Sequence, residues 1–143
     1  MLYEMPVERT GLFAVLHASG VLEARVESRL AGVGLSIAKL AALRQLTLAG
    51  DSLPLGQLAD RLACVKSNVT QLVDRLESDG LVSRAGDPTD RRSRLAVLTD
   101  EGRSAFARGS AIQQAAERDL FGALSDDEAT QLHALLAKLS RPG

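Results

Sequence analysis

Apolar residues recur at helical spacing along most of this chain, and the places where that rhythm breaks define the elements. From about residue 7 to 30, Leu12, Val15, Leu16, Leu22, Val26 and Leu30 fall on or near one side of a single long helix, which Gly11 and Gly20 weaken locally. A second helix over about 36–48 carries Ile37, Leu40, Ala41, Leu43 and Leu48, and the turn signals Gly32-Val33-Gly34 and Gly50-Asp51 bound it. Leu55, Leu58, Ala59 and Leu62 give a short third helix, introduced by Leu53-Pro54. Val69, Leu72, Val73 and Leu76 give a fourth over about 66–79, with Gly80 placed for a left-handed cap. The rhythm then changes. Leu81-Val82-Ser83-Arg84 and Leu95-Ala96-Val97-Leu98-Thr99 read as two strands of a hairpin around a long polar loop. Helical spacing returns after Thr99 as far as about Phe121, with Asp100 and Glu101 suited to the positive end of the dipole. Ser125-Asp126-Asp127-Glu128 forms a capping box for a last helix striped by Leu132, Leu135, Leu136 and Leu139.

Two short helices joined by about three residues cross steeply, as in a helix-turn-helix, because neither can bury its stripe alone. The second of them has a polar outer face of Lys66, Ser67, Asn68, Thr70, Gln71 and Arg75. Asn and Gln pair bidentately with adenine, Arg pairs with guanine, and all of these side chains hydrogen-bond phosphate. The hairpin that follows carries Asp90, Arg91, Arg92 and Arg94. Three arginines in four positions repel one another unless an anion is near, and the spacing suggests that Asp90 braces the Arg92 guanidinium. A braced arginine on a narrow wing suits a minor groove. The expected fold is therefore mainly α with a small β-hairpin wing (α+β): a winged helix-turn-helix with long N- and C-terminal dimerisation helices. Residues 35–99 form the reading head, with 1–34 and 100–143 as the flanking helices of one compact chain.

The run Val69-Thr70-Gln71-Leu72-Val73-Asp74-Arg75-Leu76-Glu77-Ser78-Asp79-Gly80-Leu81-Val82-Ser83-Arg84 resembles the MarR-type winged helix-turn-helix regulators, and so do Asp87-Pro88-Thr89-Asp90-Arg91-Arg92 and Leu98-Thr99-Asp100-Glu101-Gly102. The resemblance implies a homodimeric transcription regulator, usually a repressor, often released from DNA by a small ligand or by oxidation. It assigns DNA contacts to Ser67, Asn68, Thr70, Gln71 and Arg75 and to Arg92 with its Asp90 partner. One departure stands out: Val65, followed by Lys66, occupies the place where the family commonly has Ser or Thr to cap the recognition helix. Valine accepts no hydrogen bond, so capping is expected to pass to Ser67, to water or to DNA phosphate. The family's effectors bind between the dimer helices and the reading head, a region expected here to include Phe13, His17, Arg44 and Leu46.

Composition changes this picture little. A chain of 143 residues supports one core. A formal net charge of −1 means that DNA affinity must come from a local patch of arginines. No apolar run is long enough for a membrane span and the first residues lack a signal-peptide layout, so the expected location is the cytoplasm of a bacterium or archaeon. The single cysteine, Cys64, excludes an internal disulfide. It lies before the recognition helix, where oxidation could tilt that helix, although a lone cysteine between Ala63 and Val65 is more often a small buried core residue. The only two histidines, His17 and His133, sit in different helices, and no metal site or cofactor is expected.

Terminal helices longer than the reading head needs for its own cover suit pairing with a second copy, which would set two recognition helices roughly 34 Å apart on a pseudo-palindromic operator. The alternative is a winged-helix protein-interaction module whose Arg91–Arg94 cluster binds an acidic protein surface without reading sequence. No nucleophile, base and orienting group share a catalytic spacing, so an enzyme is not expected.

Overall fold

The computed structural model describes residues 7–62 and 68–141. In chain order the elements are α1 (Val7–Ala31), α2 (Ile37–Leu48), β1 (Ser52–Pro54), α3 (Leu55–Arg61), α4 (Val69–Ser78), β2 (Val82–Asp87), β3 (Asp90–Leu98), α5 (Asp100–Phe121) and α6 (Asp126–Leu139). The expected winged helix-turn-helix architecture is present, mainly helical with a small sheet.

The core forms where helical stripes from the middle of the chain converge. Leu30 of α1, Leu43 and Leu46 of α2, Leu58 of α3 and Val73 and Leu76 of α4 are fully buried, together with Ala96 of β3. Leu48, expected to pack with α2, is exposed, and Leu46 takes the inward place. Caps fix the starts of three helices. Ser36 Oγ accepts from the Lys39 N–H, Thr99 Oγ1 from Gly102, and Ser125 Oγ from Glu128, whose carboxylate accepts from Ser125 in return. At the start of α2 a second acceptor comes from α1, where Glu27 takes the Ile37 N–H.

The sheet differs from the expected hairpin in two ways. A third strand, β1, pairs antiparallel with β3 through Ser52↔Val97, Leu53↔Ala96 and Pro54↔Leu95, giving the order β1-β3-β2. Three residues are too few to display a period of two, and Pro54 is tolerated because β1 is an edge. The second difference is that the wing arginines lie on a strand. Only Pro88 and Thr89 form the turn between β2 and β3. Pairing runs regularly from Val82↔Leu98 to Gly86↔Arg94, then jumps to Asp87↔Asp90, so Arg91, Arg92 and Ser93 lie on a bulged stretch with no Cα partner on β2.

Helix α5 meets the sheet at very close range. A Cβ on Gly102 would lie 2.1 Å from the Leu81 carbonyl oxygen, and one on Gly109 would lie 2.7 Å from Leu40 Cδ1. Glycine at these two places lets α5 settle onto the base of the wing and onto α2.

Candidate nucleic-acid interface

Helix α4 begins later than its sequence pattern suggested, and the difference is a matter of capping. The expected start at Lys66 and the expected capping by Ser67 are replaced by an Asn68 N-cap, extended in φ and ψ, whose Oδ1 accepts the Gln71 N–H at 3.3 Å. The side-chain oxygen of a residue nominated for base contact is thus used locally, while its amide N–H groups have no partner among the described residues. Lys66, Ser67 and Cys64, together with Ala63 and Val65, lie outside the described residues. At the other end Gly80 adopts φ +77°, and the Leu81 N–H returns to Leu76 O at 2.9 Å, closing the helix as its position predicted.

Leu72, Val73 and Leu76 face the core, so Thr70, Gln71, Asp74, Arg75 and Ser78 are left on the exposed side. On the wing, Asp90, Arg91, Arg92 and Arg94 are all exposed. The expected brace between Asp90 and the Arg92 guanidinium is not what forms: Asp90 Oδ1 accepts the Arg92 backbone N–H at 2.9 Å. The carboxylate shapes the chain and leaves the fork unrestrained. Asp87 acts similarly at the turn, accepting the Thr89 hydroxyl at 2.7 Å and N–H at 2.9 Å, and these bonds, the hydroxyl first, hold its carboxyl below the usual carboxylate range. Among the described residues none of Arg75, Arg91, Arg92 and Arg94 enters an ion pair. Arg92 and Arg94 also line a notch of about 350 Å³ with Leu55 and Gly56 at the start of α3, so this strand of the wing lies beside the helix-turn-helix.

A residue that the sequence reading passed over joins α4 to the wing. Arg84 of β2 donates from Nη2 to Asp74 Oδ1 at 2.6 Å and from Nη1 to Glu77 Oε1 at 2.8 Å. The hydrogen bond to Asp74 leads the causes that raise its pKa above the ordinary arginine value, so it is always charged. The signal was present in the sequence: two carboxylates three apart on a nominal DNA-reading helix need a cation. A second missed joint lies at the base of the sheet. Arg103 of α5 donates from Nη2 (2.8 Å) and Nε (3.2 Å) to Asp51 Oδ2 and also pairs with Asp100. Asp51 has φ +82°, and its backbone binds Leu46 O and the Leu98 N–H, so this turn ties α2, β3 and α5 together.

The four residues expected to line a ligand region do not lie together. A cleft of about 360 Å³ lies between α1, α2, α5 and the end of α3, walled by apolar residues such as Leu22, Val26, Leu40 and Phe121, with Arg44, Arg61, Glu23 and Glu117 as its charged lining. Of the four residues expected there, Arg44 lines this cleft. Leu46 does not, because it is wholly buried in the core, and Phe13 and His17 lie on the exposed first half of α1, outside the cleft lining. Among the described residues no group of three or more His, Cys, Asp and Glu is arranged to hold a metal ion. None of the described helices is long and apolar enough to cross a membrane.

A helix-turn-helix backed by a three-stranded sheet, with an arginine-bearing hairpin beside it, defines a winged helix-turn-helix protein. Residues 35–93 match the MarR family model. The chain is 33% identical over 108 residues to the HTH-type transcriptional repressor MdtR of Bacillus subtilis, covering 76% of this chain and 69% of that protein. It is 40% identical over 84 residues to the HTH-type transcriptional regulator YkoM of the same organism, covering 59% of this chain and 54% of YkoM. The chain thus spans about half the length of YkoM. Its fold superposes with a TM-score of 0.82 on a single-residue mutant of Escherichia coli MarR complexed with operator DNA, at 23% identity, covering 97% of this chain and 100% of that one. The chain belongs to the MarR family.

Proposed function

We propose that this protein is a sequence-specific transcription regulator that binds double-stranded DNA as a homodimer and acts as a repressor released by a small effector. The observation that carries the reading is a single charge pattern. The exposed cations of α4 and the wing, Arg75, Arg91, Arg92 and Arg94, have no carboxylate partner on the protein among the described residues, whereas Arg84 behind them is fully engaged. Unpaired guanidinium groups on a helix and an adjoining hairpin suit phosphate and base edges. Gln71 and Arg75, with Asn68 and Thr70, are the base-reading candidates, Lys66 and Ser67 precede them in the chain, and the wing arginines suit the flanking groove.

Support for the second copy comes from apolar surface. Leu12 and Phe13 on α1 are 65% and 64% exposed, and Leu135, Leu136 and Leu139 on α6 lie open as well. These are the terminal helices, and two copies joined through them bury that surface about a two-fold axis. The cleft suits a mainly apolar effector, because its wall is mostly apolar and its charged lining is balanced, Arg44 and Arg61 against Glu23 and Glu117. Its occupant would touch Leu62 at the end of α3, just ahead of the recognition helix, and so bias the reading head.

Selection of bound sequences from random duplex DNA tests the reading. Recovery of an inverted repeat is expected, with half-sites about one helical turn apart. Gln71→Ala should then lose about 1–3 kcal/mol of base discrimination. Flat recovery favours the alternative, a protein-interaction module whose arginines bind an acidic surface.

A further inference from the structure

Residues 68–79, from the N-cap to the C-cap of α4, contain three carboxylates, Asp74, Glu77 and Asp79, against one cation, Arg75. A helix with that balance is repelled by a groove lined with phosphates. Asp74 is the worst placed, since it stands on the exposed side next to Arg75 and one turn beyond Thr70 and Gln71. All three carboxylates are nevertheless paired, and both cations arrive from other elements. Arg84 of β2 spans Asp74 and Glu77 with the two arms of its fork, and Lys39 of α2 binds Asp79 at 2.8 Å. The Arg84 side chain is only 19% exposed while Asp74 is 59% exposed, so the cation stands behind and the carboxylates stand in front.

We propose that Arg84 is a positioning residue of the DNA-reading surface: it cancels the charge of Asp74 and Glu77 and holds both carboxylates, so that Gln71 and Arg75 approach DNA without repulsion from their own helix. The inference rests on the DNA-binding reading above. It differs from a simple staple between helix and strand, because removing the carboxylates cannot replace a lost staple, whereas a neutralising cation becomes dispensable once they are gone.

Binding of the full chain to a mixed-sequence duplex of about 30 base pairs, followed by fluorescence anisotropy from about 50 to 200 mM salt, separates the two. Arg84→Met is expected to weaken binding by about tenfold at the low-salt end, and adding Asp74→Asn and Glu77→Gln to it should restore affinity to within about threefold. In the protein that keeps Arg84, the Asp74→Asn/Glu77→Gln pair should tighten binding and steepen the salt slope by about one, because a guanidinium is released from its partners. A triple variant as weak as Arg84→Met, or a carboxylate pair variant that binds no better than wild type, overturns the proposal and leaves Arg84 a staple. If Arg84→Met fails to fold, the carboxylate pair variant decides the question alone. Absence of duplex binding by the wild-type protein at low salt would remove the DNA-binding reading itself, which distinguishes that failure from this one.

Discussion

Replacing Gly102 with alanine adds one methyl group at the tightest contact between α5 and the reading head. Its carbon would stand 2.1 Å from the Leu81 carbonyl oxygen and 2.7 Å from Leu98 Cδ1. Leu98 can rotate, but Leu81 O is backbone and already accepts the Thr99 N–H at 3.1 Å. The first turn of α5 must therefore lift by about 1 Å, loosening that bond and the one from Thr99 Oγ1 to Gly80 O at 2.7 Å. Overpacking costs about 1–3 kcal/mol. Weakening two hydrogen bonds adds about 1 kcal/mol. The better helix propensity of alanine returns at most about 1 kcal/mol. The clash wins, for a net loss of about 2 kcal/mol and a fall in Tm on the order of 5–10 °C for a chain of this size. Urea and thermal unfolding followed by circular dichroism measure it, with Gly56→Ala as the control, since a Cβ there meets nothing within 4 Å. A Gly102→Ala protein as stable as wild type would refute the close approach of α5 to the sheet.

Three further outcomes follow from the same structure. Leu43→Ala, at a fully buried position of α2, should lose about 2–5 kcal/mol in urea unfolding through the cavity it leaves. Asp51→Gly should unfold at higher urea than Asp51→Ala by about 1 kcal/mol, because both lose the partly exposed pair with Arg103 but only glycine accepts φ +82° without strain. Glu128 has its pKa lowered by the Ser125 backbone N–H and then by the Ser125 hydroxyl, so its contribution to α6 is present above the ordinary carboxylate range and fades as pH falls through its own lower value. Amide exchange in α6 should therefore accelerate on acidification, and Glu128→Gln should reduce that pH dependence.

Some of the proposed interface was legible because its signals are local. The stripe Val69, Leu72, Val73, Leu76 fixed which side of α4 faces inward, and hence that Thr70, Gln71 and Arg75 face outward. Gly80 marked the helix end because only a residue tolerant of positive φ closes it there. The start was misread for the converse reason: Ser67 and Asn68 are both competent caps, and sequence offers no means of choosing between adjacent acceptors. Asp90 was given the right neighbour and the wrong atom, since a carboxylate two residues from an arginine reaches its backbone N–H as readily as its fork.

What the chain determined by itself is what periodicity and short-range chemistry encode: the helices, the inward face of α4, the capping box at Ser125, and the presence of a basic hairpin after a helix-turn-helix. The tertiary structure alone decided the joints. The β1 edge strand, the Arg84 fork across Asp74 and Glu77, the Arg103 tie to Asp51 52 residues away, and the removal of Leu46 from the expected pocket into the core all depend on which elements meet. Such pairings are set by the packing of the whole core. A side chain's partner across the fold leaves no mark on the spacing of its own neighbours in sequence.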